Sequence, residues 1–357
     1  MSSVYFIKTS KNENQISIAQ KIGLLFDTAG FKSCIEEKDL VAVKVHFGEE
    51  KNTTYLKPYL IAPVVEKIKK NKGKPFLTDT NTLYSGARSN AVDHLHLAHK
   101  HGFTMENVGA PVIISDGLIG KNEIEVEISG KYYKKVPVAT EIVMANALFV
   151  ISHPTGHLAA GFGGAIKNLG MGTSSRKGKL NQHSSVLPEI VESKCKKCGL
   201  CVKWCPANTI KMKEKSAFII SAKCIGCAEC LAVCKNEAVR FNYRVSSNEL
   251  QEKVAEHAYG SVIDKKNKTA FFNFVIDVTK DCDCMTWVQK PFVESLGILA
   301  SYDPVAIDQA SIDLIEKETG KKINESAYPN LDHTPQLLHA EKIGLGNRNY
   351  KLIEVQN

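Results

Sequence analysis

Eight of the chain's eleven cysteines fall between Cys195 and Cys234. A hydrophobic core has no use for so many thiols in forty residues. They form two near-copies. Cys195-Lys-Lys-Cys198-Gly-Leu-Cys201-Val-Lys-Trp-Cys205-Pro206 has the spacing C-x2-C-x2-C-x3-C-P, and Cys224-Ile-Gly-Cys227-Ala-Glu-Cys230-Leu-Ala-Val-Cys234 repeats it. Disulfides are the expected use in a small secreted chain, whereas this pattern in a chain of 357 residues points to metal ligation. Three closely spaced thiolates can cap three irons of a cubane, while a fourth on the following turn is directed to a second cluster. The expected ligand sets are therefore crossed. Cys195, Cys198, Cys201 and Cys234 hold one [4Fe–4S] cluster, and Cys224, Cys227, Cys230 and Cys205 hold the other. Tetrahedral zinc needs only four ligands and gives a duplicated three-plus-one arrangement no purpose.

Over about fifty residues this segment closely resembles bacterial two-cluster ferredoxins, with Lys235 standing where proline usually follows the last cysteine. No ligand is lost by that departure, so its effect falls on the local turn or on cluster potential. The segment also explains most of the chain's charge of +8, because eleven Lys/Arg face five Asp/Glu from Pro188 to Val245. Thiolate-ligated clusters offset that surplus locally. Nucleic acid is consequently the least favoured partner, since no aromatic-interleaved basic stripe is present.

Either side of the segment the pattern is α/β. Apolar periodicity predicts helices at Gln15–Ala29, Tyr59–Lys70, Ala91–His101 and Glu252–Ala258, and β-rich runs at Leu40–Val45, Pro75–Asp79, Ala147–Ser152 and Thr269–Val278. Leu158–Leu169 reads as a glycine-broken helix and residues 172–187 as a polar loop. Asp303-Pro304 starts a helix and Gly320 ends it. The expected architecture is one α/β domain with a mainly parallel sheet, made of residues 1–187 and 246–357 and split by a small α+β two-cluster ferredoxin-like insertion at 188–245. The first residues lack a basic flank followed by an apolar segment, and no apolar run approaches the roughly 20 residues of a membrane span. The protein reads as cytoplasmic.

Four further segments stand together: Val45-His-Phe-Gly-Glu-Glu-Lys-Asn-Thr-Thr, His153-Pro-Thr-Gly-His157, Gly161-Phe-Gly-Gly-Ala-Ile-Lys-Asn-Leu-Gly-Met-Gly172 and Asp281-Cys-Asp-Cys284. With them the chain resembles, over nearly its whole length, the domain of unknown function 362 family. That resemblance implies an α/β fold with a ferredoxin insertion and brings no settled reaction. The candidate residues come from placement. His46, Asp79 and His153 follow or end β-runs, where open α/β sheets bind ligands, and His157 and Lys167 lie just beyond. Residues 143–188 contain no Asp or Glu, so Gly161, Gly163, Gly164, Lys167 and Arg176 form a candidate site for an anionic cofactor or small anionic substrate. The alternative is that the glycines serve tight packing. Cys282 and Cys284 could form a redox pair or clamp an additional soft metal, with Asp281 and Asp283 as hard neighbours. His94, His96, His99 and His101 occupy several sides of one helix and read as surface or packing residues, Cys34 as structural and Asp303 as a cap.

The leading functional expectation is an electron-transfer protein, an iron–sulfur oxidoreductase whose clusters relay electrons between an external carrier and a redox site in the α/β domain. An acidic ferredoxin or flavodoxin would suit the basic surface. The alternative is a non-catalytic maturation or scaffold protein that binds a metal or cofactor, with structural or sensory clusters.

Overall fold

The computed structural model describes residues 1–84, 86–183, 187–224, 226–227, 229–240 and 246–356. Eight strands form its main sheet: β1 (Ser2–Lys8), β2 (Leu40–Lys44), β3 (Lys74–Asp79), β4 (Val112–Ile114), β5 (Ala147–Ser152), β6 (Thr269–Val278), β7 (Val293–Ser301) and β8 (Tyr350–Glu354). Their order is β8-β1-β7-β6-β5-β2-β3-β4. Five of the seven pairings are parallel, and β7 runs antiparallel to both of its neighbours.

A parallel sheet survives only with both faces covered, and two hydrophobic layers cover this one. On one face α1 (Gln15–Thr28), α2 (Pro58–Lys70) and α3 (Ala91–Lys100) pack through Phe26, Val64 and Ala98 against Val43, Phe149 and Phe272. On the other, α4 (Ala165–Gly170), α6 (Ser247–Val262), α7 (Pro304–Thr319) and α8 (Thr334–Lys342) bring Leu169, Val254, Ile307 and Leu337 against Leu148, Val150 and Phe271. This double coverage is why Ala147–Ser152 is apolar without alternation: all six residues are buried.

The chain leaves the sheet after β5 and returns at β6. The described residues from 189 to 240 instead form two small antiparallel pairs, Glu189–Ile190 with Val239–Arg240 and Ile210–Met212 with Ala217–Ile219, together with short helices at Leu200–Lys203 and Glu229–Val233. The expected junction at 245 lies outside the described residues. No helix among the described residues is long and apolar enough to cross a membrane.

Two local expectations are corrected. Leu158–Leu169 is not a broken helix: Thr155–His157 pairs with Gly161–Gly163 as a β-hairpin, and helix begins only at Ala165. The expected polar loop at 172–187 contains α5 (Arg176–His183) in its described part. That helix lacks an apolar stripe because its buried contacts are polar. Gln182 donates to the carbonyl of Gly170 and to Ser174 Oγ, and Lys179 donates to the carbonyl of Ser174. Strand β8 carries only half-buried apolar residues and pairs in parallel with β1 at the sheet edge.

Phe149 is fully buried and stacks on Phe26 at 5.7 Å while meeting Phe31 edge-on at 6.0 Å. Phe149→Ala is expected to cost about 3–5 kcal/mol in urea unfolding, the range for emptying an aromatic site in a packed core.

Candidate functional site

The eight clustered cysteines surround two separate cavities. Cys195, Cys198, Cys201 and Cys234 line one, and Cys205, Cys224, Cys227 and Cys230 line the other. In the first run Lys197 and Gly199 take positive φ, +55° and +76°, which curls the chain around a single point. The backbone N–H groups of Thr209 and Ala238 donate to Cys205 Sγ and Cys234 Sγ, both at 3.3 Å. Apolar residues, including Ile210, Ala217 and Val239, pack between the two cysteine sets, while Lys196, Lys197 and Asn236 border the first on its outer side. This cysteine-rich region can bind metal clusters.

A larger cavity of about 770 Å³ opens where the main sheet's parallel strands end. Strand order reverses between β2 and β5, since β3 and β4 lie to one side of β2 and β5 and β6 to the other. Such a reversal opens a crevice at the carboxyl ends of the strands. Lys44 and His46 enter from β2, Asp79 from β3, Ser152 and His153 from β5, and Cys282 to Cys284 from the segment after β6. His157 and Lys167 come from the hairpin and α4. The structure thus gathers His46, Asp79, His153, His157, Lys167, Cys282 and Cys284 around one cavity.

Their charge states follow from their partners. Asp79 is buried and paired with Lys44 Nζ at 3.0 Å, with Arg88 Nη1 at 3.4 Å. Burial opposes its charge, but the Lys44 ammonium and the Arg88 guanidinium outweigh that and hold the carboxyl well below its ordinary pKa. Arg88 also pairs with buried Glu49 at 3.0 Å, and Tyr84 bridges to both. His46 Nδ1 accepts the Gly48 N–H at 3.0 Å. His157 Nδ1 accepts those of Ala159 and Ala160 at 3.3 and 3.1 Å. Burial pushes both histidines well below the usual pKa, with Arg88 adding to the effect on His46 and Lys167 on His157. Both are therefore neutral rings with Nε2–H donors.

His153 differs. Its Nδ1 lies 2.9 Å from Asp283 Oδ2 and its Nε2 2.7 Å from the carbonyl oxygen of Ile276, acceptors on both sides. Burial disfavours the charge, yet Asp283 and that carbonyl overcome it and raise the pKa. Lys167 makes no hydrogen bond or ion pair among the described residues, and burial followed by the neighbouring Arg88 and Lys44 brings its pKa down to about 8. Both cavity carboxylates are engaged, and Lys179 has buried Asp116 nearby, so Lys167 is the cation that leaves the interior positive.

The expected anion site at the glycine segment is not assembled as such. Gly163, Gly164 and Lys167 do line the cavity. However, the Asp308 carboxylate accepts the first two N–H groups of α4, from Ala165 at 2.6 Å and Ile166 at 2.9 Å. Gly161 packs against His333, and Arg176 is buried away from the cavity with its guanidinium donating to the Ser89 carbonyl. Close packing explains these glycines, as a Cβ on Gly164 would lie 2.3 Å from Asp308 Oδ1. Asp303 caps α7, Cys34 is buried, and His94 sits between Phe47 and Asp79.

Cys282 and Cys284 form a disulfide in the cavity wall. Asp281 and Asp283 are not free hard ligands, because Asp281 accepts from Tyr328 and Asp283 from His153 and Thr54. Ligand atoms of His157, Cys282 and Cys284 lie within 4.8 Å of one another. A metal-bound histidine normally donates its second ring nitrogen to an acceptor, whereas His157 receives two N–H donors at Nδ1. The hydrogen bonds therefore favour a redox pair beside a donor over a metal clamp. Sequence reasoning assigned no role to Lys44, Glu49, Arg88 and Asn168. A lysine in the apolar run of β2 was a visible signal for Lys44, and Glu49 and Asn168 lie within the segments that carry the family resemblance, while Arg88 has no local pattern.

The family model described as "Domain of unknown function (DUF362)" matches residues 41–313. The chain belongs to that family. Among solved structures, it is similar to the lactate racemase apoprotein from Thermoanaerobacterium thermosaccharolyticum, at 14% identity and a TM-score of 0.40 over 78% of this chain and 51% of that one. It is likewise similar to a structural-genomics target from Thermotoga maritima, at 12% identity and a TM-score of 0.44 over 87% of this chain and 60% of that one. The chain spans between half and two thirds of the length of these two structures. No curated protein matches it.

Asp283→Asn is expected to lower the His153 pKa, as read by NMR titration of the ring. Because the folded-state pKa is raised, the pair's stabilisation is present below the ordinary histidine pKa of about 6.5 and fades as pH rises through the raised value. The stability gap between wild type and variant should shrink from pH 5.5 to pH 9; a gap that does not change with pH would contradict the charged pair.

Proposed function

We propose that this chain is an electron-transfer protein holding two [4Fe–4S] clusters, which connects an external carrier to a redox reaction of a small anion in the sheet-end cavity. The observation carrying this reading is the division of the eight cysteines into the two crossed sets expected from their spacing. Cys195, Cys198, Cys201 and Cys234 would hold one cluster, and Cys205, Cys224, Cys227 and Cys230 the other. Thiolate donors, apolar packing between the sets and N–H groups aimed at sulfur suit such clusters, which supply one-electron transfer when bound.

The placement of the two sets supports a direction. The first lies beside exposed Cys198, Lys196 and Lys197, a surface suited to an acidic carrier. The second lies on the sheet side. From the helix carrying Cys230, Leu231 packs on Leu83 and Leu180, and Leu83 lines the large cavity. Glu229 of the same helix is buried and pairs with Lys121 at 2.7 Å. In the cavity, Lys167 attracts the anion, and His46 and His157 offer N–H donors to it, while His153 is held by Asp283 and the Ile276 carbonyl. Asp79, locked by Lys44 and Arg88, fixes the cationic wall in place rather than moving a proton.

Anaerobically purified protein should contain about eight irons with matching sulfide, and reduction should give the EPR signature of two interacting [4Fe–4S] centres. Cys234→Ser should perturb the cluster held by Cys195, Cys198 and Cys201, and Cys205→Ser the other. Bound zinc in place of iron would overturn the reading. Reduction by an acidic carrier should slow as salt rises, and Lys196→Glu with Lys197→Glu should weaken that dependence. Salt-independent rates would rule out this docking face.

A further inference from the structure

The proposed route delivers electrons singly, and the cavity wall contains a group that takes a pair. We infer that Cys282 and Cys284 are a dithiol–disulfide couple that accepts electrons arriving through the cysteine-rich segment. This inference rests on the iron–sulfur reading and deepens it by naming the acceptor.

Three observations carry it. The disulfide lines the same cavity as Leu83, the residue on which the cysteine-rich segment seats Leu231. The turn carrying the sulfurs is held through its backbone and through Asp283 by groups that leave both sulfur atoms unengaged. Asp283 accepts from His153, the Asp283 carbonyl accepts the Glu49 N–H at 3.0 Å, and the Cys284 carbonyl accepts from Tyr84 at 3.3 Å. The Gln289 side chain clamps the Asp281 backbone through both its amide atoms. These contacts hold the turn independently of the S–S bond, so the bond can open with the turn in place.

The third observation is the close seating of His157. Its hairpin approaches so closely that the Gly156 N–H donates to the Thr279 carbonyl at 2.9 Å, and a Cβ on Gly156 would lie 2.2 Å from the Lys280 carbonyl oxygen. This contact brings the His157 ring to the sulfurs. A neutral ring with an Nε2–H donor can stabilise a thiolate without becoming charged, and the Lys167 ammonium lies in the same cavity.

The step balances simply. The Cys282–Cys284 bond breaks on taking two electrons, one ending on each sulfur, and two protons from solvent or cavity donors complete the dithiol. The reductant is a low-potential one-electron carrier acting twice. Return to the disulfide re-forms the S–S bond and releases two electrons to an anion reducible by an electron pair, with the two thiol protons passing to that anion or to solvent.

The test uses the full chain, prepared without air and reduced with a ferredoxin-type carrier, then quenched with iodoacetamide and read by peptide mass spectrometry. Cys282 and Cys284 should be unlabelled before reduction and labelled after it. In Cys205→Ser with Cys230→Ser, the carrier should no longer expose them, while dithiothreitol still should. In Cys282→Ser with Cys284→Ser, iron content should be unchanged and coulometric titration should take up two fewer electrons per chain. If iron centres reduce fully while the pair stays unlabelled, the inference fails and the iron–sulfur reading stands. A stoichiometric extra metal lost on Cys282→Ser would also overturn it. Absence of iron would instead remove the reading on which it rests.

Discussion

The carboxyl edge of the parallel strands concentrates buried charge, and Asp79 makes that concentration tolerable. Lys44, Arg88 and Glu49 are each almost wholly removed from water, and unpaired ions in such a setting cost several kcal/mol apiece. Asp79 meets both cations, Glu49 takes the second contact of Arg88, and Asn168 receives Lys44 at 2.7 Å. The network joins β2, β3, the segment after β3 and α4 at the point where strand order reverses. It sets the wall against which every other cavity group is placed.

On this wall, identical side chains take different roles through their partners alone. His46 and His157 receive N–H donors and stay neutral, while His153 faces an acceptor on each ring nitrogen and carries charge. Lys44 is consumed by Asp79, but Lys167, one turn into a short helix, has no such partner among the described residues. The helix start that sequence offers as an anion site is already filled by Asp308. Anion attraction therefore shifts from backbone amides to the Lys167 side chain.

The interrupting segment is joined to this cavity by a small contact of definite chemistry. Leu231 meets Leu83 and Leu180, and Glu229 with Lys121 fixes the approach. A side chain adjacent in sequence to Cys230 thus touches the cavity wall. The segment's basic, exposed side lies by the other cysteine set.

Periodicity alone determined much of this protein. The all-apolar run at Ala147–Ser152 and the amphipathic helices specified a doubly covered, mainly parallel sheet, and the cysteine spacing specified which thiols share a cavity. Those are local patterns with fixed geometric meaning. The strand-end rule marked His46, Asp79 and His153 before any contact was known. Tertiary structure decided the rest, because the deciding partners are remote in the chain. Arg88, Glu49 and Asp283 leave no periodic trace, α5 is stabilised by polar contacts that read as loop, and the hairpin at Thr155–Gly163 exists because β6's exit segment lies against it. Whether a histidine is charged or an amide is free depends on which atom faces it across the fold, and that information belongs to no stretch of sequence.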